Sequence, residues 1–255
     1  MTRTLTKKIL KSILDIYLSP VKINSKIKRY AQEVILIDTE AHLSKAIQYL
    51  KSNNLIRKNP VIIDIGGANG DATNFFLKAF PLSRVLIFEA IPELAAQLKK
   101  KFVNLNVETF ALALSDRKGT VTFNVADNLL SSSYKKIWEN KQFNTLKTVE
   151  VPSLPLDVVM DKFKDILEID ILKLDVQGAE LDVLSGARQT LQKTKMLIVE
   201  QSVRSNYKGG SLYFEVDELL RLAEFELLDI IITYRKDGLV LNEFDSIYIK
   251  NKLVK

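Results

Sequence analysis

The sequence predicts an α/β protein with a mostly parallel sheet and helices on both of its faces. Short apolar segments alternate with amphipathic ones along most of the 255 residues, which is the pattern of this fold class. The first apolar run, at 61–65, leads directly into a glycine-rich turn, as expected of a buried parallel strand. With 47% apolar and 27% charged residues, the chain can bury one large core.

The predicted elements follow one another in a regular order. Buried strands are predicted at 61–65, 84–88, 107–112, 169–174 and 196–199. Helices are predicted at 40–51, 71–79, from Pro92 onward, at 180–191 and at 216–224. Residues 225–232 and 246–250 are predicted to close the sheet as an antiparallel pair around the turn Asp237-Gly238.

A second, partly exposed layer interrupts this order in the middle of the chain. Residues 119–125 alternate apolar and polar side chains, as in a half-exposed strand, and residues 149–151 are its candidate partner. Residues 126–146 are polar and are predicted as a loop long enough to cover a site. Tyr134 and Trp138 in this loop are candidates either for an acceptor platform or for simple anchors of the loop.

The composition excludes several kinds of active site. The chain has no cysteine, so it forms no disulfide, thiolate zinc site or cysteine nucleophile. A single histidine, His42, disfavours a Ser-His-Asp triad, and we expect it to pack or to lie on the surface. No apolar run approaches the roughly 18–20 residues that span a bilayer, and no secretory signal is visible. We therefore expect a cytoplasmic protein.

Positive charge is concentrated at the start of the chain. Residues 1–30 carry a net charge of +7 and the other 225 residues carry −1, so we expect no nucleic-acid partner. A helical apolar stripe is formed by Leu5, Ile9, Ile13 and Ile16. Residues 1–30 are thus predicted as a basic amphipathic arm that precedes one domain over 31–255. Residues 5–18 either contact a partner or the inner face of a membrane, or pack on this domain or on a second copy in a homo-oligomer.

The chemistry is expected at the carboxyl ends of the strands, where open sheets bind their ligands. The turn from Asp64 to Gly70 lacks the G-x-G-x-x-G spacing of a dinucleotide site, and Asp71 would repel a pyrophosphate. S-adenosylmethionine carries a cationic sulfonium and no phosphate, so acidic strand ends at Asp64 and Glu89 suit it. Glu89 is placed to accept hydrogen bonds from both ribose hydroxyls. NAD would use the same contact, so a NAD-dependent oxidoreductase stays open as an alternative.

Several sequence blocks together resemble the FkbM-type S-adenosylmethionine-dependent methyltransferase family. The matching blocks are Asp64–Gly70, Phe88–Glu93, Ala113–Asp116 with Gly119 and Phe123, Val151–Leu154 with Asp157, Leu172–Glu180, Val183–Ala187 and Glu200. Two positions depart from the family pattern. The pair Ala68-Asn69 stands one place later than usual, and Gln177 stands where glutamate is frequent.

This resemblance implies a fold, an activity and a set of donor contacts. It implies the class I methyltransferase (Rossmann-like) sheet of seven strands, the last antiparallel, and O-methylation of a sugar or polyketide hydroxyl. It places Gly66, Gly67 and Gly70 at the methionine end, Glu89 at the ribose, and Ala113 with Asp116 beside the adenine. The further candidates for the donor site are Asp64, Asn69 and Ala90.

Methyl transfer to a hydroxyl requires a group that removes its proton. With one histidine and no cysteine, we expect a carboxylate, and Asp175 at the end of a strand is the first candidate. Lys173 lies two residues earlier on the same face, and Glu200 ends the neighbouring strand. The three could instead form a structural ion-pair network. A divalent metal is a candidate cofactor, and Glu180 is either a further acid or a helix-start carboxylate.

Three functions remain open at this point. The first is an S-adenosylmethionine-dependent O-methyltransferase acting on a sugar, a glycan or another small metabolite. The second is the NAD-dependent oxidoreductase. The third is a catalytically silent binding protein that retains the methyltransferase fold and works through its basic arm.

Overall fold

The structure is a computed structural model that describes residues 41, 43–127, 131–137, 144–236 and 240–254. The predictions for the arm 1–30, for His42, for Trp138 and for the turn Asp237-Gly238 fall outside the described residues. In the part that is described, no helix is long and apolar enough to cross a membrane.

Strands and helices alternate along the described chain. The strands are β1 (Val61–Ile65), β2 (Arg84–Glu89), β3 (Val107–Ala111), β4 (Ala113–Leu114), β5 (Gly119–Ala126), β6 (Lys136–Ile137), β7 (Thr145–Leu154), β8 (Ile169–Leu174), β9 (Thr194–Ser202), β10 (Tyr207–Lys208), β11 (Phe225–Lys236) and β12 (Val240–Lys250). The helices are α1 (43–52), α2 (Asp71–Ala79), α3 (Pro92–Lys101), α4 (Leu156–Met160), α5 (Glu180–Ser185), α6 (Arg188–Lys193) and α7 (Tyr213–Leu222).

Seven of these strands form one central sheet in the order β11-β12-β9-β8-β1-β2-β3. The strands from β9 to β3 pair in parallel, whereas β12 runs antiparallel to both β9 and β11. The predicted seven-stranded sheet with an antiparallel last strand is therefore confirmed. The strand order reverses between β1 and β8, so the carboxyl ends of both border the crevice where such sheets bind ligands.

Two apolar layers cover the sheet because successive side chains of a buried strand point to opposite faces. Ile63 and Leu86 lie in one core with α4, α5, α6 and α7. Ile62 and Val85 lie in the other core with α1, α2 and α3. All four side chains are fully buried, and each such burial contributes about 1.5–3 kcal/mol before the entropy of ordering is counted.

A smaller layer stands beside the carboxyl ends of the main strands. Strands β4, β7 and β5 form a three-stranded sheet in which Val121 pairs with Val151 and Phe123 pairs with Val149, which confirms the predicted partnership. The predicted loop 126–146 contains the short strand β6, which pairs with β10.

One predicted helix is wrong in its extent. The segment 180–191 forms two helices, α5 and α6, that are separated at Gly186. A β-carbon at Gly186 would lie 2.2 Å from the carbonyl oxygen of Ser115, so the chain bends where it passes the end of β4. The apolar periodicity of residues 180–191 gives no information about this contact with a distant part of the chain.

Candidate active site

A cavity of about 380 Å³ opens at the carboxyl ends of β1, β2, β8 and β9, a size typical of a small-molecule site. Nine of the twelve predicted site residues line it, namely Gly66, Gly67, Asn69, Glu89, Ala90, Ala113, Lys173, Asp175 and Glu200. The other three, Asp64, Gly70 and Asp116, do not form part of its wall.

The glycine turn passes so close to β8 that a side chain at position 66 would collide with the main chain. Gly66 has a φ of +82°, and a β-carbon there would lie 1.8 Å from the carbonyl oxygen of Asp175. The N–H of Gly66 donates to the carbonyl oxygen of Phe88 at 2.8 Å. The turn therefore joins the tips of β1, β2 and β8, and it ends at Gly70, which precedes α2.

Glu89 is held at the tip of β2 by backbone donors. Its Oε2 accepts from the N–H of Ala68 and its Oε1 from the N–H of Ile91, both at 2.8 Å. Burial raises the pKa of Glu89, and the two backbone hydrogen bonds offset part of this effect. A carboxylate has about four acceptor sites, so each oxygen can accept one further hydrogen bond from a ligand in the cavity.

Asp64 lies behind the wall of the cavity. It is fully buried, and its Oδ2 accepts from the Thr73 hydroxyl at 2.6 Å. Its Oδ1 lies 4.0 Å from the Lys173 ammonium and accepts no hydrogen bond from any described residue. Burial raises the pKa of Asp64, with Lys173 opposing that effect. Asp64 is thus placed to act on Lys173 rather than to contact a ligand directly.

Asn69 and Asp116 use their side chains on close neighbours in the sequence. The Asn69 amide donates to the Asp71 carboxylate at 2.7 Å, and its carbonyl oxygen accepts from the Asp71 N–H at 3.1 Å. The Asp116 carboxylate is 40% exposed and pairs with Arg117 at 3.1 Å. Asn69 therefore shapes the start of α2, while Asp116 lies outside the cavity.

Asp175, just after β8, and Glu200, on β9, form an acidic wall of the cavity, and one amide bridges them. The Gln177 amide nitrogen donates to Asp175 Oδ1 at 2.9 Å and to Glu200 Oε2 at 2.6 Å. The Lys173 ammonium donates to Asp175 Oδ2 at 3.2 Å. The structure thus brings the three predicted catalytic residues together, and Gln177 is a fourth member of the group.

The two bridged carboxylates have opposite pKa shifts. Burial alone would raise the pKa of Asp175, but Lys173 and the Gln177 amide overcome it and lower the pKa. Burial raises the pKa of Glu200 well above its usual value, and the negative charge of Asp175 adds to this effect. Burial also opposes the charge on Lys173, but the carboxylates around it reverse that effect and raise its pKa. Asp175 and Lys173 are therefore an ion pair at neutral pH.

Two residues of this region were missed by the sequence analysis. Asp245 on β12 lines the cavity and lies opposite Glu200 in the strand register. The hydroxyl of Tyr207 lies 2.9 Å from Gln177 Oε1 and 2.9 Å from the carbonyl oxygen of Ser131, so it connects the bridging amide to the main chain at Ser131. An acidic residue within an apolar closing strand was the available signal, but the predicted strand began only at residue 246.

The structure defines the contacts of Glu180 and Tyr134, for each of which the sequence allowed two roles. Glu180 is buried and accepts from the N–H of Gly178 at 3.0 Å and from the Ser211 hydroxyl at 2.8 Å. It therefore closes the turn after β8 at the start of α5 and is absent from the cavity wall. Tyr134 does line the cavity, and its hydroxyl donates to Asp182 at 2.9 Å.

No group of three or more histidine, cysteine or acidic side chains is arranged to hold a metal ion among the described residues. The acidic wall consists instead of carboxylates bridged by an amide and paired with a lysine. This arrangement can orient a hydroxyl group and take up a proton.

The strand order, the glycine turn and the acidic strand tips around one cavity define a class I methyltransferase. The family model described as "Methyltransferase FkbM domain" matches residues 64–227, which is more than half of the chain. The chain therefore belongs to the FkbM methyltransferase family, and it is a methyltransferase. Both the predicted family and the predicted class of enzyme are confirmed.

Two named relatives are similar to most of this chain. One is the 2-O-methyltransferase NoeI of Sinorhizobium fredii, which is 28% identical over 210 residues that cover 72% of this chain and 85% of the relative. The other is the methyltransferase sdnD of Sordaria araneosa, which is 26% identical over 197 residues that cover 66% of this chain and 74% of the relative.

Two solved structures are similar at lower identity. The methyltransferase FkbM from Methylobacillus flagellatus aligns with 14% identity and a TM-score of 0.47. The alignment covers 76% of this chain and 45% of that one. The magnesium protoporphyrin IX methyltransferase from Synechocystis aligns with 10% identity and a TM-score of 0.48, over 94% of this chain and 90% of that one.

Proposed function

We propose that the protein transfers a methyl group from S-adenosylmethionine to a hydroxyl of a sugar, a glycan or a similar small metabolite. The observation that carries this proposal is the pairing, within one cavity, of Glu89 at the β2 tip with the acidic wall of Asp175 and Glu200. The similarity to a relative named as a 2-O-methyltransferase supports the choice of oxygen as the acceptor atom.

The donor end is formed by the tips of β1 and β2. S-adenosylmethionine supplies an electrophilic methyl group on a cationic sulfonium, and the acidic cavity is chemically suited to this charge. Glu89 keeps acceptor capacity for two hydroxyls. The methionine end is assigned to Gly66, Gly67 and Asn69 with Gly70 behind them, and the adenine end to Ala90 and Ala113 beside the apolar ring of Phe123, with Asp116 outside the wall.

The acidic wall is assigned to the acceptor hydroxyl. Lys173 keeps Asp175 ionised, and Gln177 fixes its orientation, so Asp175 presents a rigid negative charge to the hydroxyl. Glu200 lies beside it on the neighbouring strand β9 and shares the Gln177 amide with it. In this assignment, alignment of the two substrates provides most of the rate, as expected for a direct displacement at carbon.

The charge of the cavity indicates which acceptors it can take. The described residues contribute to its wall one lysine, Lys173, and five carboxylates, those of Asp71, Glu89, Asp175, Glu200 and Asp245. An acceptor that carries phosphate or carboxylate would be repelled by this field. We therefore propose a neutral acceptor.

The proposal is tested by binding first and transfer second. S-adenosylhomocysteine and NAD are titrated separately against the full-length protein by calorimetry, and we expect binding of the first only. The protein is then incubated with S-adenosylmethionine and a panel of neutral glycosides, each matched by its phosphorylated or carboxylated form. We expect a mass increase of one methylene group in a neutral member. Affinity for NAD alone would refute the proposal, and donor binding without transfer would favour a silent binding protein.

A further inference from the structure

Asp245 is a member of the cavity wall that neither the sequence motifs nor the family resemblance identify. It lies on β12, which runs antiparallel beside β9, and the register places it opposite Glu200. On its other side, the register with β11 places the apolar Ile231 opposite Asp245. Its side chain is partly buried and lines the cavity together with Asp175 and Lys173.

Hydrogen bonding distinguishes Asp245 from Asp175 and Glu200, the two carboxylates of the acidic wall. Asp175 accepts from Lys173 and Gln177, and Glu200 accepts from Gln177. Among the described residues, none donates a hydrogen bond to Asp245. Both oxygens of Asp245 therefore keep all of their acceptor capacity for a hydroxyl that enters the cavity, whereas each oxygen of Asp175 already accepts one hydrogen bond from the protein.

The charged groups around Asp245 favour a base that works near neutral pH. The groups that face it are Lys173 and Asp175 from β8 and Glu200 from β9, while β11 presents an apolar side chain. Burial and the charge of Asp175 raise the pKa of Asp245 to about 7, and Lys173 acts in the opposite direction. Asp175, with its lowered pKa, is a weaker base, while the carboxylate of Glu200, whose pKa burial and the charge of Asp175 raise, already accepts a hydrogen bond from the Gln177 amide.

We propose that Asp245 is a further catalytic residue of this enzyme, the carboxylate that accepts the proton of the acceptor hydroxyl. This assignment rests on the proposed O-methyl transfer. The hydroxyl oxygen forms its bond to the methyl carbon while the carbon–sulfur bond breaks and leaves its electron pair on sulfur. The hydroxyl proton passes to Asp245, so a cation and a carboxylate become a neutral thioether and a carboxylic acid. Asp175 and Lys173 keep the roles of a fixed charge and its counter-ion.

The first test follows the proton without any acceptor. Infrared difference spectra are recorded between pH 5 and pH 8.5 for the wild type, for Asp245→Asn and for the surface control Asp161→Asn. We expect a carboxylic-acid band that is lost with a midpoint near pH 7 in the wild type and in the control. We expect this band to be missing in Asp245→Asn. A spectrum of Asp245→Asn identical to that of the wild type would overturn the assignment.

The second test measures transfer to the neutral glycoside that the wild type methylates best. In Asp245→Asn we expect kcat to fall by about 100-fold or more, as is typical for loss of a general base, with S-adenosylhomocysteine affinity unchanged. We expect Asp245→Glu, which retains a carboxylate, to restore part of the rate, and Asp161→Asn to retain all of it. The rise of the wild-type rate toward neutral pH should be absent in Asp245→Asn.

The outcomes separate this assignment from the proposed function. A wild type that binds no S-adenosylhomocysteine, or that methylates nothing in the panel, contradicts the proposed function itself. A wild type that transfers methyl groups while Asp245→Asn keeps the same rate and pH profile contradicts only the role of Asp245. If Asp245→Asn does not fold, Asp245→Glu still tests the assignment. The longer side chain moves the carboxylate away from its wild-type position, so full activity with an unchanged pH profile would contradict a role of Asp245 as proton acceptor.

Discussion

The two ends of the cavity are built in different ways. At the donor end, Glu89 is held by N–H groups of the main chain, from Ala68 in the glycine turn and from Ile91 two residues further along. At the acidic wall, Asp175 and Glu200 are held by side chains, those of Lys173 and Gln177. A main-chain site persists through most substitutions around it, whereas a side-chain network can be disrupted by one substitution at any member.

The largest effect should come from Lys173→Met, which removes the only cation that the described residues contribute to the cavity wall. Asp64, Asp175 and Asp245 would then face one another in a partly buried site without a counter-charge. We expect the free energy of unfolding to fall by about 3–5 kcal/mol at pH 7.5, measured by urea denaturation. The loss should shrink at acid pH, where protonation of the carboxylates removes their repulsion.

The matched control is Lys164→Met, which removes an exposed lysine paired with Asp161. Exposed pairs of this kind contribute about 0–1 kcal/mol. If the two variants lost equal stability, the wall would not depend on Lys173, and the contrast between the two ends of the cavity would disappear.

The second effect concerns Gly66, where the two ends touch. In Gly66→Ala, the new methyl group would meet the carbonyl oxygen of Asp175, and the residue would keep a φ of +82° that alanine disfavours. We expect a loss of about 2–3 kcal/mol in unfolding free energy together with weaker donor binding. Gly119→Ala, which meets no atom within 4 Å, is the control and should leave both measurements unchanged. Equal behaviour of the two variants would exclude the proposed close approach.

The central sheet could be predicted from the sequence because its signals are local. Buried parallel strands appear as continuous apolar runs, and the runs at 61–65 and 169–174 correspond to β1 and β8 within a residue. The break between α5 and α6 could not be predicted, since it depends on the contact of Gly186 with Ser115 far away in the sequence. Local periodicity does not record which distant strand a helix will meet.

The same distinction applies to the candidate site. The position of Glu89 could be predicted because one helix and one strand connect it to the glycine turn, and that distance is visible in the sequence. Asp245 is visible in the sequence as an acidic residue in an apolar strand, but its place in the cavity could not be predicted, because it depends on the insertion of β12 between β11 and β9. The bridging role of Gln177 was missed for a similar reason, since its two acceptors lie on different strands.

A third effect tests the donor end alone. Glu89→Ala removes a carboxylate that we assign to the ribose, and a charged hydrogen bond is worth about 1.5–3 kcal/mol. We expect the affinity for S-adenosylhomocysteine, measured by calorimetry, to fall by about ten-fold to a hundred-fold. Glu93→Ala, at an exposed position of α3, should bind like the wild type. An unaltered affinity in Glu89→Ala would remove Glu89 from the ribose role and leave the donor end without its acidic contact.

The smallest expected effect is a change in how the free energy of unfolding depends on pH, and it comes from Asp245→Asn. The pKa of Asp245 is about 7 in the folded protein, against about 3.9 in an unfolded chain. Between these values the unfolded chain releases a proton that the folded protein keeps, so the stability that Asp245 contributes is lost as the pH rises toward 7. Asparagine does not titrate, so Asp245→Asn should gain about 1–2 kcal/mol over the wild type between pH 5 and pH 8, less than full linkage because the side chain is partly exposed.

Urea denaturation at several pH values measures this difference, with Asp161→Asn expected to follow the wild type throughout. If the stability difference between Asp245→Asn and the wild type stays constant or falls as the pH rises, Asp245 is an ordinary ionised carboxylate. The contrast in stability between this side of the cavity and the donor end would then be lost. A gain in stability joined to a loss of transfer would instead identify Asp245 as a group retained for chemistry at the expense of folding, which is the usual signature of an active site. We expect a smaller gain at Glu89, because the N–H groups of Ala68 and Ile91 offset part of the effect of burial on its pKa, and these donors would lose their acceptor in Glu89→Ala.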